Sequence, residues 1–288
     1  MVENSFLILS LIAYFCPMNW KDLKFASVLV LSILLSSCSE YQKLLRSDDT
    51  AAKYNMADSL YKAKKYKKAL PLMEQIVPIY RGKPQAEPLM YRYANTFYNL
   101  EDYYLAGYQF ERFVVSYPKS DSLEMAAYKS AKSYYELSPR YSLDQKDTYI
   151  ALEKLQGFVD NYPESEYRAQ CNDMVQELKV KLEKKDIETA KQYRRISDYK
   201  AAIKAFDNFI LDHPGSIYRE EAYFGRLASA YELAQNSVSY LVKERLEMAK
   251  RYFDSFIKYY SSSAQRGAAE EILLQINTQL QEQTLSTN

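Results

Sequence analysis

A short pattern recurs along the chain and limits what the chain can fold into. It consists of an alanine, a large apolar residue four positions later, a phenylalanine three positions after that, and then a proline and a serine. The three clearest copies span 106–120, 151–165 and 202–216, and weaker copies begin at Ala69 and Ala249. Positions i, i+4 and i+7 lie on one face of an α-helix. Each copy therefore predicts a helix with a small and two large buried residues, ended by its proline.

A second pattern precedes each copy and predicts a partner helix. It is a small residue with a larger one three positions later, in the pairs Ala57 and Leu60, Ala94 and Phe97, Ala131 and Tyr134, Ala190 and Tyr193, and Ala228 and Tyr231. A turn between the two patterns is marked by Lys65-Tyr66, Asp102-Tyr103 and Asp198-Tyr199. The arrangement resembles the tetratricopeptide repeat, in which alanines let paired helices approach closely. We predict an all-α fold, a tetratricopeptide-repeat superhelix of about five irregular repeats.

The repeats are unequal in length. The two alanines of a repeat are 12 residues apart in repeats one, two and four, 20 apart in repeat three and 21 apart in repeat five. The additional residues, around 138–142 and 236–239, predict longer loops between the helices or an extended first helix. The last stretch, 264–283, places four apolar residues on one face: Ala268, Ile272, Ile276 and Leu280. This pattern predicts a C-terminal capping helix.

The N-terminus has a separate composition. Lys21 and Lys24 precede an apolar run from Phe25 to Leu35, which ends in Leu35-Ser36-Ser37-Cys38. This order is typical of a signal peptide, and its end resembles a bacterial lipobox, in which the cysteine takes a diacylglycerol before cleavage in front of it. A plain signal peptide or an N-terminal anchor helix is the alternative. An earlier apolar run lacks a basic start, so translation is predicted to begin at Met18.

These features divide the chain into four predicted regions. Residues 1–37 are the signal peptide, and 38–50 are the lipidated N-terminus and linker. Residues 51–165 form the N-terminal half with repeats one to three. Residues 166–288 form the C-terminal half with repeats four and five and the capping helix.

The composition gives no sign of catalysis or nucleic-acid binding. With 38 Lys+Arg against 37 Asp+Glu the formal net charge is +1, so there is no long-range attraction for nucleic acid. His213, the one histidine, stands where other copies carry tyrosine and is predicted to replace a packing ring. Cys171 would be the one thiol left after processing and lipidation, and it is predicted to be buried. No phosphate loop, zinc spacing or nucleophile elbow occurs, so we predict no enzyme, no cofactor and no metal site.

Tyrosines recur at the groove positions of the first three repeats. In arrays of this kind the first helices line the concave face, and the positions are Tyr54 and Tyr61, Tyr91 and Tyr98, and Tyr128 and Tyr135. A spacing of seven places each pair on one helix face, with Asn95, Asn99 and Lys132 beside them. We predict that these nine residues form a peptide-binding groove. The alternative is that the tyrosines only pack neighbouring helices.

The lipobox, the five irregular repeats and the Tyr-Pro-x-Ser helix ends together resemble the BamD family of outer-membrane protein assembly lipoproteins. The resemblance covers essentially the whole mature chain. It implies a lipid anchor on the periplasmic face of the outer membrane and N-terminal repeats that receive the C-terminal targeting strand of unfolded outer-membrane proteins. It also implies C-terminal repeats that hold the β-barrel insertase of the machinery, alongside its other subunits. By position, Arg219, Glu220 and Glu221 are predicted to dock that insertase.

Two other classes of periplasmic repeat lipoprotein are alternatives. An adaptor for envelope constriction or peptidoglycan synthesis would be expected to carry an N-terminal coiled coil, for which residues 39–50 are too short. A glycan-uptake adaptor would be much longer, with large insertions that carry the sugar site.

Overall fold

A computed structural model describes the backbone of residues 40–286 and the side chains through residue 283. Within this range every regular element is an α-helix: α1 Thr50–Lys62, α2 Tyr66–Tyr80, α3 Ala86–Asn99, α4 Tyr103–Ser116, α5 Leu123–Leu137, α6 Lys146–Asn161, α7 Arg168–Arg195, α8 Tyr199–Asp212, α9 Arg219–Gln235, α10 Ser239–Tyr259 and α11 Arg266–Ser286. Residues 40–46 are also helical. Of these helices, none has the length and apolar character that crossing a membrane requires. The predicted signal peptide and Cys38 lie outside the described residues.

The helices pack in consecutive pairs, and small side chains lie where the pairs meet. α1 packs on α2, α5 on α6, α7 on α8, and α9 on α10. Every alanine of the two sequence patterns is at most 3 % exposed: Ala57, Ala69, Ala94, Ala106, Ala131, Ala151, Ala190, Ala202, Ala228 and Ala249. A methyl side chain lets two helices approach closely and adds no side-chain entropy cost when it is buried. The predicted all-α tetratricopeptide-type fold is confirmed.

The large residues of the pattern fill the space between neighbouring helices. All of them are buried: Met73, Ile76, Phe110, Phe113, Leu155, Phe158, Phe206, Phe209, Phe253 and Phe256. Complete burial of such a side chain contributes about 1.5–3 kcal/mol. In the core of repeats four and five, Phe206 and Phe256 pack with Ile187. In repeat three, Leu155 packs with the buried Cys171.

Three of the first helices end in the same way. The second residue after each helix has a positive φ, at Lys64 (56°), Glu101 (62°) and Ser197 (64°). The next amide, of Lys65, Asp102 or Asp198, donates to the carbonyl five residues earlier at 2.8–3.0 Å. This is the Schellman closure, in which the left-handed position usually holds glycine. The predicted turn dipeptides follow directly after these left-handed residues.

A serine–glutamate hydrogen bond recurs at the ends of the repeats. It joins the turn after the second helix to the first helix of the same repeat. The hydroxyl donates to a glutamate in Ser120–Glu87 (2.6 Å), Ser165–Glu124 (2.6 Å), Ser216–Glu183 (2.7 Å) and Ser263–Glu220 (2.5 Å). The serine belongs to the turn after the second helix, and the glutamate lies on the first helix. At the corresponding position near the start of α11 the sequence has Gly267, which has no carboxylate to accept such a bond.

The two longer repeats differ from each other in where they hold the additional residues. Repeat three has a loop at 138–145 between α5 and α6, as one of the predicted alternatives required. In repeat five the connection is short and the second helix is extended, since α10 has 21 residues and α2 has 15. Neither predicted alternative for repeat five included a longer second helix. α7, at 28 residues, packs on both α6 and α8.

The predicted capping helix forms as α11, which packs on α10 and α9. Ile276 is fully buried, and Ile272 and Leu280 pack against the same cluster. The prediction for Ala268 is wrong: this residue is exposed, and the neighbouring Ala269 is buried. Ala269 precedes Ile272 and Ile276 by three and seven residues, which places all three on one face.

The contacts divide the chain into two compact units. Of the residues described, the first contains 40–109 and 115–120, and the second contains 110–114 and 121–286. The predicted division at residue 165 does not coincide with this boundary. That division separates substrate-binding from partner-binding repeats, and it stays a prediction about function.

Candidate functional site

Six of the nine predicted groove residues belong to the first compact unit, and we call them the α1–α3 tyrosine surface: Tyr54, Tyr61, Tyr91, Asn95, Tyr98 and Asn99. Tyr54 stacks on Tyr80 of α2, with ring centroids 5.3 Å apart. Tyr54 is half-buried, so one part of its ring fixes the helix pair while another part stays accessible. Tyr54 therefore combines packing with surface presentation.

The second tyrosine of each pair packs on a turn. Tyr61 meets Tyr66 edge to face at 5.7 Å, and Tyr98 meets Tyr103 in the same way at 5.6 Å. Burial raises the pKa of Tyr61, and the neighbouring Tyr66 and Tyr91 raise it further. An ordinary phenol is already neutral at physiological pH and can donate a hydrogen bond, and this shift favours the same state.

The polar groups of this surface are held by local contacts. Asn95 is buried, and the Asn99 side-chain amide donates to the Asn95 backbone carbonyl at 2.6 Å. Asp58 of α1 forms ion pairs with Arg92 of α3 at 2.5 Å and with Lys62 at 2.7 Å. The Asn99 side chain is thus held on α3, and the Asp58–Arg92 ion pair ties α1 to α3.

The other three predicted groove residues lie on α5 in the second unit. Tyr128 is 7 % exposed, stacks on Tyr167 at 4.3 Å, and donates from its hydroxyl to Gln170 at 2.7 Å. Its ring also meets Phe158. Tyr128 is thus a core residue whose phenol reaches the surface of α7.

Tyr135 and Lys132 lie at an open depression of about 320 Å³, which we call the α5–α7 depression. Tyr128, Lys132, Tyr135, Glu136, Gln170, Asp173 and Met174 line it. The Tyr135 hydroxyl donates to Glu177 at 2.6 Å. Burial and this hydrogen bond raise the pKa of Tyr135 to about 12. Lys132 forms no ion pair with any residue that the structure describes, so a cation lies beside an apolar methionine and several acceptors.

The residues of α7 in this depression were missed from the sequence. Gln170, Asp173, Met174 and Glu177 follow Tyr128 and Tyr135 by about 40 residues, across a loop whose length differs from that of the other repeats. The exposed positions of Gln170, Asp173 and Glu177 were readable from helical periodicity, whereas Met174 is half-buried and packs against the cluster of Cys171 and Val175. The partners of these residues were not readable.

The residues predicted to dock the insertase make contacts within the chain. Arg219 lies over the ring of Tyr223 at 5.3 Å, Glu220 accepts from Ser263, and Glu221 pairs with Lys191 at 2.7 Å. The Nε atom of Arg219 is buried without a hydrogen-bond partner among the described residues. These contacts order the start of α9; its docking role stays a prediction.

The described residues contain no cluster of metal-ligating side chains. Cys171 is fully buried, and burial raises the pKa of its thiol to about 11, as a structural cysteine requires. The ring of His213 packs on Phe209 at 4.8 Å, as Tyr162 packs on Phe158 at 5.1 Å. The predicted replacement of a packing tyrosine is confirmed.

Solved structures of repeat proteins match the chain at low TM-scores. The TPR2AB domain of yeast Sti1, in a complex with pHSP90, is 14 % identical with a TM-score of 0.37 and covers 79 % of this chain and 98 % of that one. A putative kinesin light chain of Podosopora anserina with nearly identical TPR-like repeats is 17 % identical with a TM-score of 0.30 and covers 83 % and 99 %. A variant of that kinesin light chain is 18 % identical with a TM-score of 0.30 and covers 82 % and 96 %.

A search of the curated proteins finds no match. A family model described as "Outer membrane lipoprotein" matches residues 46–204. The matched segment is more than half of the 288 residues and contains all nine predicted groove residues. The chain therefore belongs to the YfiO family of outer membrane lipoproteins.

Proposed function

We propose that this protein is the lipoprotein scaffold of an outer-membrane β-barrel assembly machinery, which binds targeting segments of unfolded outer-membrane proteins and holds the insertase. The observation that carries this proposal is the family match over residues 46–204, from before α1 into α8, in which both tyrosine-bearing surfaces lie. The resemblance to BamD supports the same role over the remaining repeats.

The chemistry of the two surfaces suits an extended peptide. Peptide recognition needs apolar contacts for side chains and fixed polar groups for the backbone or terminus. The α1–α3 tyrosine surface presents half-buried rings at Tyr91 and Tyr98. The α5–α7 depression presents the Lys132 ammonium, which can pair with a terminal carboxylate, beside Met174. Tyrosine also loses little conformational entropy on binding, because its ring has few rotamers to restrict.

The remaining assignments follow from position. Cys38 carries the anchor at the periplasmic face of the outer membrane, and two or three acyl chains hold a protein stably where one chain is marginal. The start of α9, with Arg219, Glu220 and Glu221, contacts the insertase. Its side chains are already ordered by Tyr223, Ser263 and Lys191, so docking there loses little conformational entropy.

The test is a pull-down of the full-length lipidated protein from detergent-solubilised envelopes. Two variants alter the surfaces, Tyr91→Ala/Tyr98→Ala and Lys132→Glu/Tyr135→Ala. Tyr149→Ala and Tyr240→Ala serve as matched controls, because these rings are 62 % and 83 % exposed and lie outside both surfaces. Circular dichroism melts identify any variant that has lost its fold.

We expect the wild type and controls to recover a β-barrel insertase and unfolded outer-membrane proteins, and the two surface variants to retain the insertase but lose the clients. Recovery of division or glycan-uptake proteins in place of the insertase would contradict the assembly role. Clients retained by both surface variants would contradict the assigned surfaces and leave the assembly role standing.

A further inference from the structure

Five lysines lie within seven residues at the turn between α1 and α2. They are Lys62, Lys64, Lys65, Lys67 and Lys68, and all are exposed. Lys62 pairs with Asp58, whereas the other four form no ion pair with a described residue. These four line an open hollow of about 490 Å³ together with Tyr66 and Leu100. We call Lys64, Lys65, Lys67 and Lys68 the lysine turn.

The lysine turn lies beside the start of the described chain. The hydroxyl of Tyr41 donates to the backbone carbonyl of Lys68 at 2.9 Å. Cys38, the proposed lipid attachment site, is three residues before Tyr41, and three residues span at most roughly 11 Å. The acyl chains would therefore enter the membrane next to the lysine turn. Lys43, which is exposed on helical segment 40–46, adds another positive charge there.

The positive charge is not a general property of these turns. The equivalent turn of repeat two carries Glu101 and Asp102, and that of repeat four carries Ser197 and Asp198. Repeat structure alone requires a left-handed residue at this position and sets no charge. The four positive charges of the lysine turn also repel one another in the folded chain, so they do not stabilise the repeat. Repeat four has one lysine at an equivalent position, Lys200, so the run of four lysines is specific, among these three turns, to the repeat nearest the anchor.

We propose that the lysine turn binds the anionic headgroups of the membrane in which the protein is anchored. The proposal rests on lipid attachment at Cys38, which brings the turn to the headgroup region. The ammonium groups contact phosphates, while Tyr66 and Leu100 present apolar surface between them. The anchor precedes α1 and the lysine turn follows it, so repeat one has two attachment points. Two points restrict its tilt on the membrane, which a single tether does not.

The experiment places a probe inside the lysine turn. The exposed Ala63 is replaced by cysteine and labelled with a polarity-sensitive fluorophore; Cys171 is buried with a raised pKa and does not compete for the label. The mature protein is studied with vesicles of phosphatidylcholine alone and of phosphatidylcholine with phosphatidylglycerol. Exposed Ser239, replaced by cysteine, serves as the control position. Mass spectrometry of the N-terminus establishes acylation at Cys38 separately.

We expect the Ala63→Cys probe to shift to shorter wavelength on anionic vesicles and not on neutral ones, with no such difference at Ser239→Cys. A Lys64→Gln/Lys65→Gln/Lys67→Gln/Lys68→Gln variant should lose the shift, and each lysine should contribute about fivefold in vesicle affinity at low salt. Millimolar inorganic phosphate should not displace the turn.

Equal shifts on both vesicle types, or a shift that survives in the glutamine variant, would overturn the proposal. Displacement by inorganic phosphate would identify a simple anion site instead of a lipid surface. The same titration applies to protein that proves unacylated, added to vesicles from solution, with Cys38 replaced by serine so that its thiol does not take the label. An anchor failure and a lysine-turn failure are therefore distinguishable.

Discussion

Gly225 of α9 lies so close to Phe206 of α8 that a Cβ at position 225 would be 2.4 Å from Cζ of the ring. Phe206 is fully buried in the core of repeats four and five, so its ring has no room to withdraw. The absence of a side chain at Gly225 is therefore a condition for the contact between these two helices.

We expect Gly225→Ala to lower the free energy of unfolding by about 1–3 kcal/mol, the usual cost of overpacking a core. Gly157→Ala on α6 is the matched control, since nothing lies within 4 Å of its added Cβ. That change should raise the free energy of unfolding by about 0.5–1 kcal/mol, because alanine restricts the unfolded chain. Urea unfolding of both variants measures whether their free energies of unfolding change with opposite signs. A destabilising Gly157→Ala would contradict the argument.

The serine–glutamate bonds should each contribute to the stability of the repeat that they close. We expect Ser165→Ala, which removes the donor to Glu124, to cost about 1 kcal/mol, the typical net value for a partly buried hydrogen bond. A double-mutant cycle with Glu124→Ala isolates the pair. Additive effects of the two single changes would show that the hydrogen bond itself contributes nothing.

Ser197→Gly should stabilise the protein. Ser197 has a φ of 64°, where an L-residue is strained and glycine is not. We expect a gain of roughly 0.5–1 kcal/mol, less than the full strain because glycine loses more entropy on folding. Asn236→Gly is the control, since Asn236 has a φ of −100°. This substitution should leave the stability of the protein unchanged or lower it. Thermal melts compare the two.

Glu188 should make stability depend on acid pH. Hydrogen bonds from Lys191 and Lys184 lower the pKa of its carboxyl to about 2. A carboxyl with a lowered pKa stabilises the fold above its unfolded-state pKa of about 4.3, and this contribution is lost as the pH falls toward 2. At pH 7 the free energy of unfolding of the wild type should exceed that of Glu188→Gln by about 1 kcal/mol. The difference is small because solvent screens partly exposed pairs. Urea unfolding should show that difference shrinking from pH 5 to pH 2; a difference independent of pH would contradict the assignment.

The core was largely predictable from the sequence because it is local and repeated. Each alanine and its large neighbours lie on one helix, so their burial follows from spacing alone. Of the four residues predicted on the buried face of α11, Ala268 alone was wrong, because an alanine follows an alanine there and the sequence does not distinguish them. The buried side is set by contacts with α9 and α10.

The candidate surfaces were less predictable because they depend on residues from other helices. Tyr128 and Tyr135 occupy equivalent positions in the sequence pattern of α5, yet the first is buried against Tyr167 and the second reaches Glu177 at the surface. The side chains of α7 make this difference. Local spacing carries no information about such a partner.

α7 belongs to two cores at once: Cys171 near its start packs in repeat three, and Ile187 further along packs with repeat four. No turn interrupts the helix between them. One inserted residue would advance everything after it by about 1.5 Å and rotate it by about 100°, which moves Ile187 off its buried face. Insertions in the loop at 138–145 impose no such phase change. The chain can therefore vary in length within repeat three, whereas the span between Cys171 and Ile187 has to keep its residue count.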